Sequence, residues 1–547
     1  MNESNELIGK EPKSRTQILK QNLKLKVKVN KNITLRKQKR NKYIALGLGA
    51  LFFIIICVIL ISKLKNFKNK KSSNEEKEKE NLSNTTKTIS KIEDIYKSLE
   101  TYETNYTNSE CNNLDPINIF KKRLNSTPVE VCSNSKSNSN HICYRDNNPI
   151  FVAQNGASCE FKNVIIDPSK WSGDGKTYKG PMDPSNRGCP LLSKGFFNIK
   201  CESGLMDKYS GYDFIYNNYF NGWDYNSDSN EKEKDSLEEL APGKTVFFIS
   251  RNQDSPNLYH GGSEFVNALS IMYLLDLDPE NIQVVFLESI LINDDPFYDL
   301  YKNLIGRGGE PIHVRSLTKK YKVSNGVHIP IDWDSPCFIS AQPPNCVNNP
   351  TKTYYLYNKL IDVFMPPENF VDSFDKKNQE VYYYPESIIS TGTKDKNAFN
   401  KILTFQWRRV WPKGRNGQQR ILGNGPELAD KLSSLLPKNI LLRLIDTASL
   451  PIKEQIAVMR QTDYFVGIHG AGLSLIIYAP QNCIYHEVLH SPNMNGLELF
   501  AATSGHKVYK DNINSDVRDI DGNENIFFNV DEFANRVIAH LKESNLM

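Results

Sequence analysis

Residues Thr462–Pro480 read TDYFVGIHGAGLSLIIYAP, and the fold turns on how that stretch is parsed. Tyr464, Phe465 and Val466 are β-formers in a short apolar run, the composition of a buried strand. Gly467, Gly470 and Gly472 interrupt it, and Leu473 to Tyr478 then reads as a short buried helix that stops before Pro480. A strand that turns through glycines into a helix gathers free backbone N–H groups and the positive end of a helix dipole at one point, a natural seat for a phosphate. The glycines, with Ala471 between two of them, permit close approach, and the His469 ring can donate a hydrogen bond. On spacing alone the stretch is neither a dinucleotide fingerprint nor a P-loop, and an ordinary strand-to-helix connection fits it equally well.

Its neighbours alternate in the same way. ILTFQW (Ile402 to Trp407), a helix over Pro426 to Leu436, ILLRLID (Ile440 to Asp446), a helix from about Ile452 to Gln461, the quoted stretch, CIYHEVL (Cys483 to Leu489) and a closing helix from Phe533 to Lys542 form one set. An earlier set holds TVFFIS (Thr245 to Ser250), a helical stretch from Glu264 to Leu275, IQVVFLES (Ile282 to Ser289), a helix near Asp299 to Leu304 and strand-like pieces at Val327 to Ile331 and Cys337 to Ser340. Strands interleaved with helices argue for an α/β chain with two Rossmann-like, doubly wound domains, and ligands of such sheets sit beyond the carboxyl ends of the strands. The stretch Tyr383 to Asn400 reads as the linker between the two.

The N-terminal part is organised differently. Residues 1–42 carry thirteen Lys or Arg against three Asp or Glu, a net +10 against +5 for the whole chain, which leaves the remainder net −5. A basic tail rather than a basic protein sets the charge, so no nucleic-acid partner is inferred. Tyr43 to Ile61 is an apolar run of nineteen residues, roughly 28 Å as a helix and enough to span a bilayer. The 42-residue polar lead is too long for a cleaved signal peptide, and the larger basic excess lies before the run. These features predict a single-pass membrane protein with a cytoplasmic N-terminus and a lumenal body. Nine of the ten cysteines fall after the run without metal-type CxxC spacing, so disulfides are expected, with Cys483 the candidate free thiol. Sequons at Asn81, Asn84, Asn105 and Asn125 lie on the same side. The expected divisions are a tail (1–42), a transmembrane helix (43–62), a flexible stem (63–95), a Cys-containing elaboration (96–240), a first Rossmann-like domain (241–395) and a second with the C-terminal helix (396–547).

Several residues could carry chemistry. Arg408 and Arg409 follow a strand directly, and Arg420 comes after a polar loop; guanidinium forks beside a glycine-rich helix start suit a diphosphate. Glu487, on the strand after the glycine turn, is placed to accept hydrogen bonds from a ribose. His486 to His490 spells HEVLH, the zinc-protease signature, but its context predicts a strand, which would hold the two histidines roughly 13 Å apart. Asp276-Leu277-Asp278 and Asp332-Trp333-Asp334 each spell DxD, a metal-diphosphate element in other proteins; the first reads as surface.

Taken together, Asn257-Leu258-Tyr259-His260, Arg408, Arg420-Ile421-Leu422, Glu454-Gln455, VGIHGAGL from Val466 to Leu473, and Glu487 resemble glycosyltransferase family 61. That family includes EGF-domain-specific O-GlcNAc transferases, protein O-mannose GlcNAc transferases and plant xylosyl- and arabinosyltransferases. The resemblance is strongest from about Ile402 to Leu489, weaker from Thr245 to Ser289, and absent before residue 240. It implies a GT-B fold, a UDP-sugar donor, inversion at the anomeric carbon and a glycan or glycoprotein acceptor in the Golgi or endoplasmic reticulum. No resident cofactor is implied, and use of Mn²⁺ or Mg²⁺ is left open. Under this reading His260 is the first choice for the general base and Glu264 the second, while Arg408, Arg409, Arg420, Gly467, His469, Gly470, Ala471, Gly472 and Glu487 hold the donor. The alternatives are an inactive lectin-like or adhesion protein on the same fold and, third, a zinc metalloprotease.

Overall fold

The structure is a computed structural model, and it describes residues 91–102, 115–125, 129–144, 158–171, 192–202, 222–226, 236–250, 257–287, 297–329, 347–348, 350–366, 381–384, 401–409, 420–447, 450–491 and 497–547. The tail, the apolar run at 43–61, most of the stem, the sequons at Asn81, Asn84 and Asn105, the Asp332-Trp333-Asp334 triplet and Cys337 to Ser340 lie outside those residues. Among the described residues, no helix is long and apolar enough to cross a membrane.

The chain is mixed α/β with several sheets. The first sheet is built from β1 (Val129–Asn134), β2 (Ser139–Tyr144), β3 (Ser158–Ile166), β4 (Phe197–Asn198), β5 (Trp223–Asp224), β6 (Thr245–Ile249), β7 (Ile282–Phe286), β8 (Ile312–His313) and β9 (Tyr321–Ile329), in the order β1-β2-β3-β9-β6-β7-β8 with β4 and β5 beside β3. Strands β9, β6, β7 and β8 are mutually parallel, while β1, β2 and β3 add on as antiparallel neighbours. The sheet therefore runs across the boundary expected at residue 240, and part of the elaboration is an extension of the first α/β unit. Disulfides Cys132–Cys201 and Cys143–Cys159 fasten this extension; Cys143 and Cys159 are direct cross-strand partners on β2 and β3. Cys483 is free and buried.

The second sheet holds β10 (Val381–Tyr384), β11 (Lys401–Gln406), β13 (Ile440–Ile445), β14 (Tyr464–Ile468), β15 (Ile484–Leu489) and β16 (Lys507–Asn512), in the order β10-β13-β11-β14-β15-β16. All but β10 are parallel, and β13, β14 and β15 are buried along their whole length, as expected of a parallel sheet covered on both faces. From β11 the chain moves to β13 on one side and then crosses to β14 on the other, so the winding reverses between β11 and β14. β10, from the segment read as a linker, is an antiparallel edge of this sheet. A small third sheet joins β12 (Arg420–Leu422), β17 (Ser515–Ile520) and β18 (Asn523–Phe528).

The helices that position the site are α1 (91–100), α2 (Pro116–Leu124), α3 (Leu258–Leu274), α4 (Lys352–Phe364), α5 (Gly425–Leu435), α6 (Ile452–Arg460), α7 (Glu498–Thr503) and α8 (Val530–Glu543). Ala471–Tyr478 is helical as expected, but as a 3₁₀ helix. One apolar cluster includes α1, α3 and α4 together with Ile456, Phe465, Leu473, Leu475, Tyr485 and Phe500 of the second set. The two sheets thus share a core on one face, while each packs a cluster of its own on the other. Helix α4, which lacks a glycine or motif to mark it, supplies much of the seam: the Tyr354 hydroxyl donates to the Ala479 carbonyl (2.6 Å), and the Tyr357 hydroxyl donates to that of Tyr478 (2.8 Å).

Burial also sets a pH dependence. His141, stacked on Trp223 at 3.9 Å, has its pKa pushed down to about 3 by burial, and burial pushes His506, bonded through Nδ1 to the Cys483 carbonyl, down to about 4. Both rings are neutral in the fold and regain an ordinary value near 6.5 on unfolding, so below that value the unfolded chain binds more protons. Stability is fully present above pH 6.5 and is lost as pH falls from there toward 4. Thermal unfolding followed across that window should show a falling midpoint, with a shallower slope in His506→Asn, whose amide keeps the bond to Cys483.

Candidate functional site

Three neighbouring parallel strands end together. Arg408 follows β11, His469 follows β14, and His490 follows β15, at the reversal in winding where open α/β sheets bind ligands. Arg408 Nη1 donates to the His469 carbonyl at 3.1 Å, joining the ends of β11 and β14 across that reversal. A Cβ on Gly470 would overlap Arg408 Nη1, and one on Gly472 would overlap the Gln406 amide nitrogen. A Cβ on Gly467 would lie 2.9 Å from Leu473 Cδ2. Gly470 has an extended backbone (φ 167°), so close approach, and not an unusual dihedral, demands these glycines. Gln406 is itself pinned, donating to the Thr447 hydroxyl at 2.9 Å.

Arg420 is brought in by β12. The Leu422 amide donates to the Arg408 carbonyl (2.8 Å), and the Trp407 indole donates to the Leu422 carbonyl (3.2 Å), so β12 is sewn to the end of β11. His490 reports the result: burial first, and then the charge of Arg420, lower its pKa against the opposing pull of Glu524, with smaller contributions from His469 and Arg408. Arg408 and Arg420 therefore share one neighbourhood with the imidazoles of His469 and His490. Arg409 turns aside, its Nε 3.0 Å from Asp446 Oδ2 and its guanidinium over the Trp407 ring.

His469 and Glu487 are bonded directly, Nδ1 to Oε1. The Glu487 side chain is fully buried and that of His469 is 12% exposed, so the carboxylate orients the ring and leaves Nε2 to face outward. Glu487 offers no open oxygen to a ribose in this arrangement. Its other oxygen points into the core near Tyr485, whose hydroxyl pKa is raised by burial first and next by Glu487 and Glu498.

Helix α3 reaches the same region from the first sheet. The Asn257 side chain caps it by accepting from the Tyr259 amide at 3.0 Å. His260, half-buried, sits in the first turn; Glu264, one turn on along the same face, is fully buried. Tyr259 packs edge-to-face on Phe500 (5.3 Å) and lies within electrostatic reach of Tyr485. Leu258 and Gly262 of α3 face Ser474 and Tyr478 of the 3₁₀ helix across a small cavity. The helix bearing His260 thus abuts the helix that starts at the glycine turn.

Two motifs resolve into structural roles. HEVLH lies on β15 and just beyond its end, with His486 and Glu487 on opposite faces, so the helical geometry of a zinc protease is absent. Asp278 caps the short 3₁₀ helix Pro279–Asn281, which leaves the Asp276-Leu277-Asp278 triplet as a helix-end turn. Gln455, quoted in the sequence pattern, is buried and donates to the Leu450 carbonyl at 2.8 Å. Gln406 and His490 were not singled out for the site from sequence. The available signal was position: each stands at the carboxyl end of a strand adjacent to β14.

Residues 258–485 match the family model described as Glycosyltransferase 61. That match supports membership of glycosyltransferase family 61 over the span it covers. The match takes in α3, the Arg408 and Arg420 segments and the glycine turn, and it ends within β15. No curated protein matches the chain. A glycosyltransferase 61 member with this geometry should lose donor affinity when the glycine turn is filled. Gly470→Ala should displace the Arg408 guanidinium and weaken nucleotide binding by roughly 10- to 100-fold, the worth of one or two charge-assisted hydrogen bonds. Arg408→Ala should match it, and calorimetry on the double variant should show little further loss.

Proposed function

We propose that this member of glycosyltransferase family 61 is a type II membrane enzyme of the Golgi or endoplasmic reticulum, with a GT-B arrangement of two Rossmann-like domains. It transfers a sugar, GlcNAc or a pentose, with inversion from a UDP-sugar to a hydroxyl of a glycan or glycoprotein. The observation that carries the reading is the convergence of two arginines, Arg408 and Arg420, with His469 and His490 at the winding reversal of a parallel sheet. The membrane topology rests on the apolar run at 43–61 and the basic tail before it.

In this reading the diphosphate lies over the glycine turn, where the backbone N–H groups of the turn receive it and Arg408 and Arg420 neutralise charge as the leaving group departs, while Glu487 holds the His469 ring in place beside it. His260, at the start of α3, takes the proton of the attacking hydroxyl from the face opposite the leaving group, the arrangement inversion requires. The described cluster is rich in guanidinium and imidazole and poor in oxygen ligands, which does not suit Mn²⁺ or Mg²⁺, so no step is routed through a metal.

The test separates binding from turnover. UDP should raise the thermal midpoint of the full chain, and His260→Ala should retain that shift while losing transfer and nucleotide-sugar hydrolysis. Unchanged turnover in His260→Ala removes it from the mechanism. A protein blind to UDP and to a panel of UDP-sugars would favour the non-enzymatic, lectin-like reading.

A further inference from the structure

The HEVLH segment leaves one observation that sugar transfer does not use. His486 is fully buried on the face of β15 that packs against α8, opposite the face bearing Glu487. Its Nε2 lies 3.1 Å from Asp511 Oδ2 on β16, and the same oxygen lies 2.7 Å from Nε2 of His540 on α8. The three atoms all fall within 4.8 Å of one another. For all its nearness to the carboxylate, His486 Nε2 makes no hydrogen bond of acceptable geometry and is buried.

The far nitrogen of His486 is bonded as that of a metal-bound histidine usually is, and that of His540 has a carboxylate nearby but beyond hydrogen-bond reach. His486 Nδ1 is 2.8 Å from the Tyr464 hydroxyl, and His540 Nδ1 is 3.8 Å from Glu543 Oε2. The two rings stand perpendicular, with centroids 5.0 Å apart, and Tyr509 stacks on His540 at 3.8 Å, fixing its plane. Ligands about 2.1 Å from a tetrahedral ion are about 3.4 Å from each other, so modest side-chain spreading would admit one. The Asp511 and His540 side chains are 16% and 15% exposed, which leaves room for a water as fourth ligand and a way in.

We propose that His486 Nε2, Asp511 Oδ2 and His540 Nε2 bind one divalent transition-metal ion of the Zn²⁺ class, which clamps the C-terminal helix α8 to β15 and β16. The set is two imidazoles and one carboxylate, a donor combination typical of zinc, and its role is structural because it ties α8 to β15 and β16 and shares no residue with the cluster at the strand ends. The signature's first histidine takes part, but its partners come from β16 and α8, not from His490.

The full chain, stripped with EDTA and equilibrated with Zn²⁺, should retain one zinc per chain by mass spectrometry and gain thermal stability from it. Co²⁺ in its place should give the visible absorption of a four-coordinate nitrogen and oxygen site, without a thiolate charge-transfer band. Asp511→Asn and His540→Gln should each weaken zinc binding by roughly a hundredfold or more. His540 is the partly exposed ligand, so its variant should fold and serve as the control if Asp511→Asn does not. Absence of stoichiometric zinc in the folded wild type, a thiolate band, or equal zinc retention in His540→Gln would overturn the assignment and leave a hydrogen-bonded His–Asp–His bridge.

Discussion

The guanidinium of Arg408 lies against the bare Cα of Gly470 and bonds the His469 carbonyl, and the site is arranged around that contact. It requires a strand end on β11, a glycine where β14 stops, and no side chain between them. Because the two strands sit on either side of the winding reversal, the backbone diverges there and leaves a crevice that one long side chain can cross. β12 then ties to the Arg408 backbone and brings Arg420, while β15 brings Glu487 beneath His469 and His490 beside it. Each residue of the cluster stands at or next to a strand end, so the sheet itself sets their spacing.

Much of this could be read from the chain. The short apolar runs at Ile402, Ile440, Tyr464 and Cys483 announce buried parallel strands because both faces of each are covered, and the glycine triplet announces a turn because so little else does. What could not be read was contact between distant segments. Nothing in KTYYLYNKLIDVF says that Tyr354 and Tyr357 reach the 3₁₀ helix more than a hundred residues later, so the two α/β sets looked more independent than they are. The Asn- and Cys-rich segment hid its strands because they are short and antiparallel, and their pairing with β9 depends on a register that composition does not encode.

Glu487 shows how a correct position can suggest a different job. Its place on the strand after the glycine turn was legible, and by analogy with dinucleotide folds that place belongs to a ribose ligand. The neighbouring strand decides otherwise: Gly467 pairs with Glu487 in register, so the carboxylate emerges directly under His469 and is consumed in orienting it. HEVLH is the complementary case, in which a familiar spacing loses its meaning because period-two geometry sends alternate residues to opposite faces.

Helix α4 has a mechanical consequence. Its phenols are anchored to the main chain and side chain at the end of the same 3₁₀ helix whose beginning forms the glycine turn. Any hinge that gaped the two sheets along this seam would have to rupture both buried anchors and expose apolar surface on either side. The joint behaves as a weld, and the comings and goings of a ligand must be accommodated by the rim of the crevice while its floor stays still.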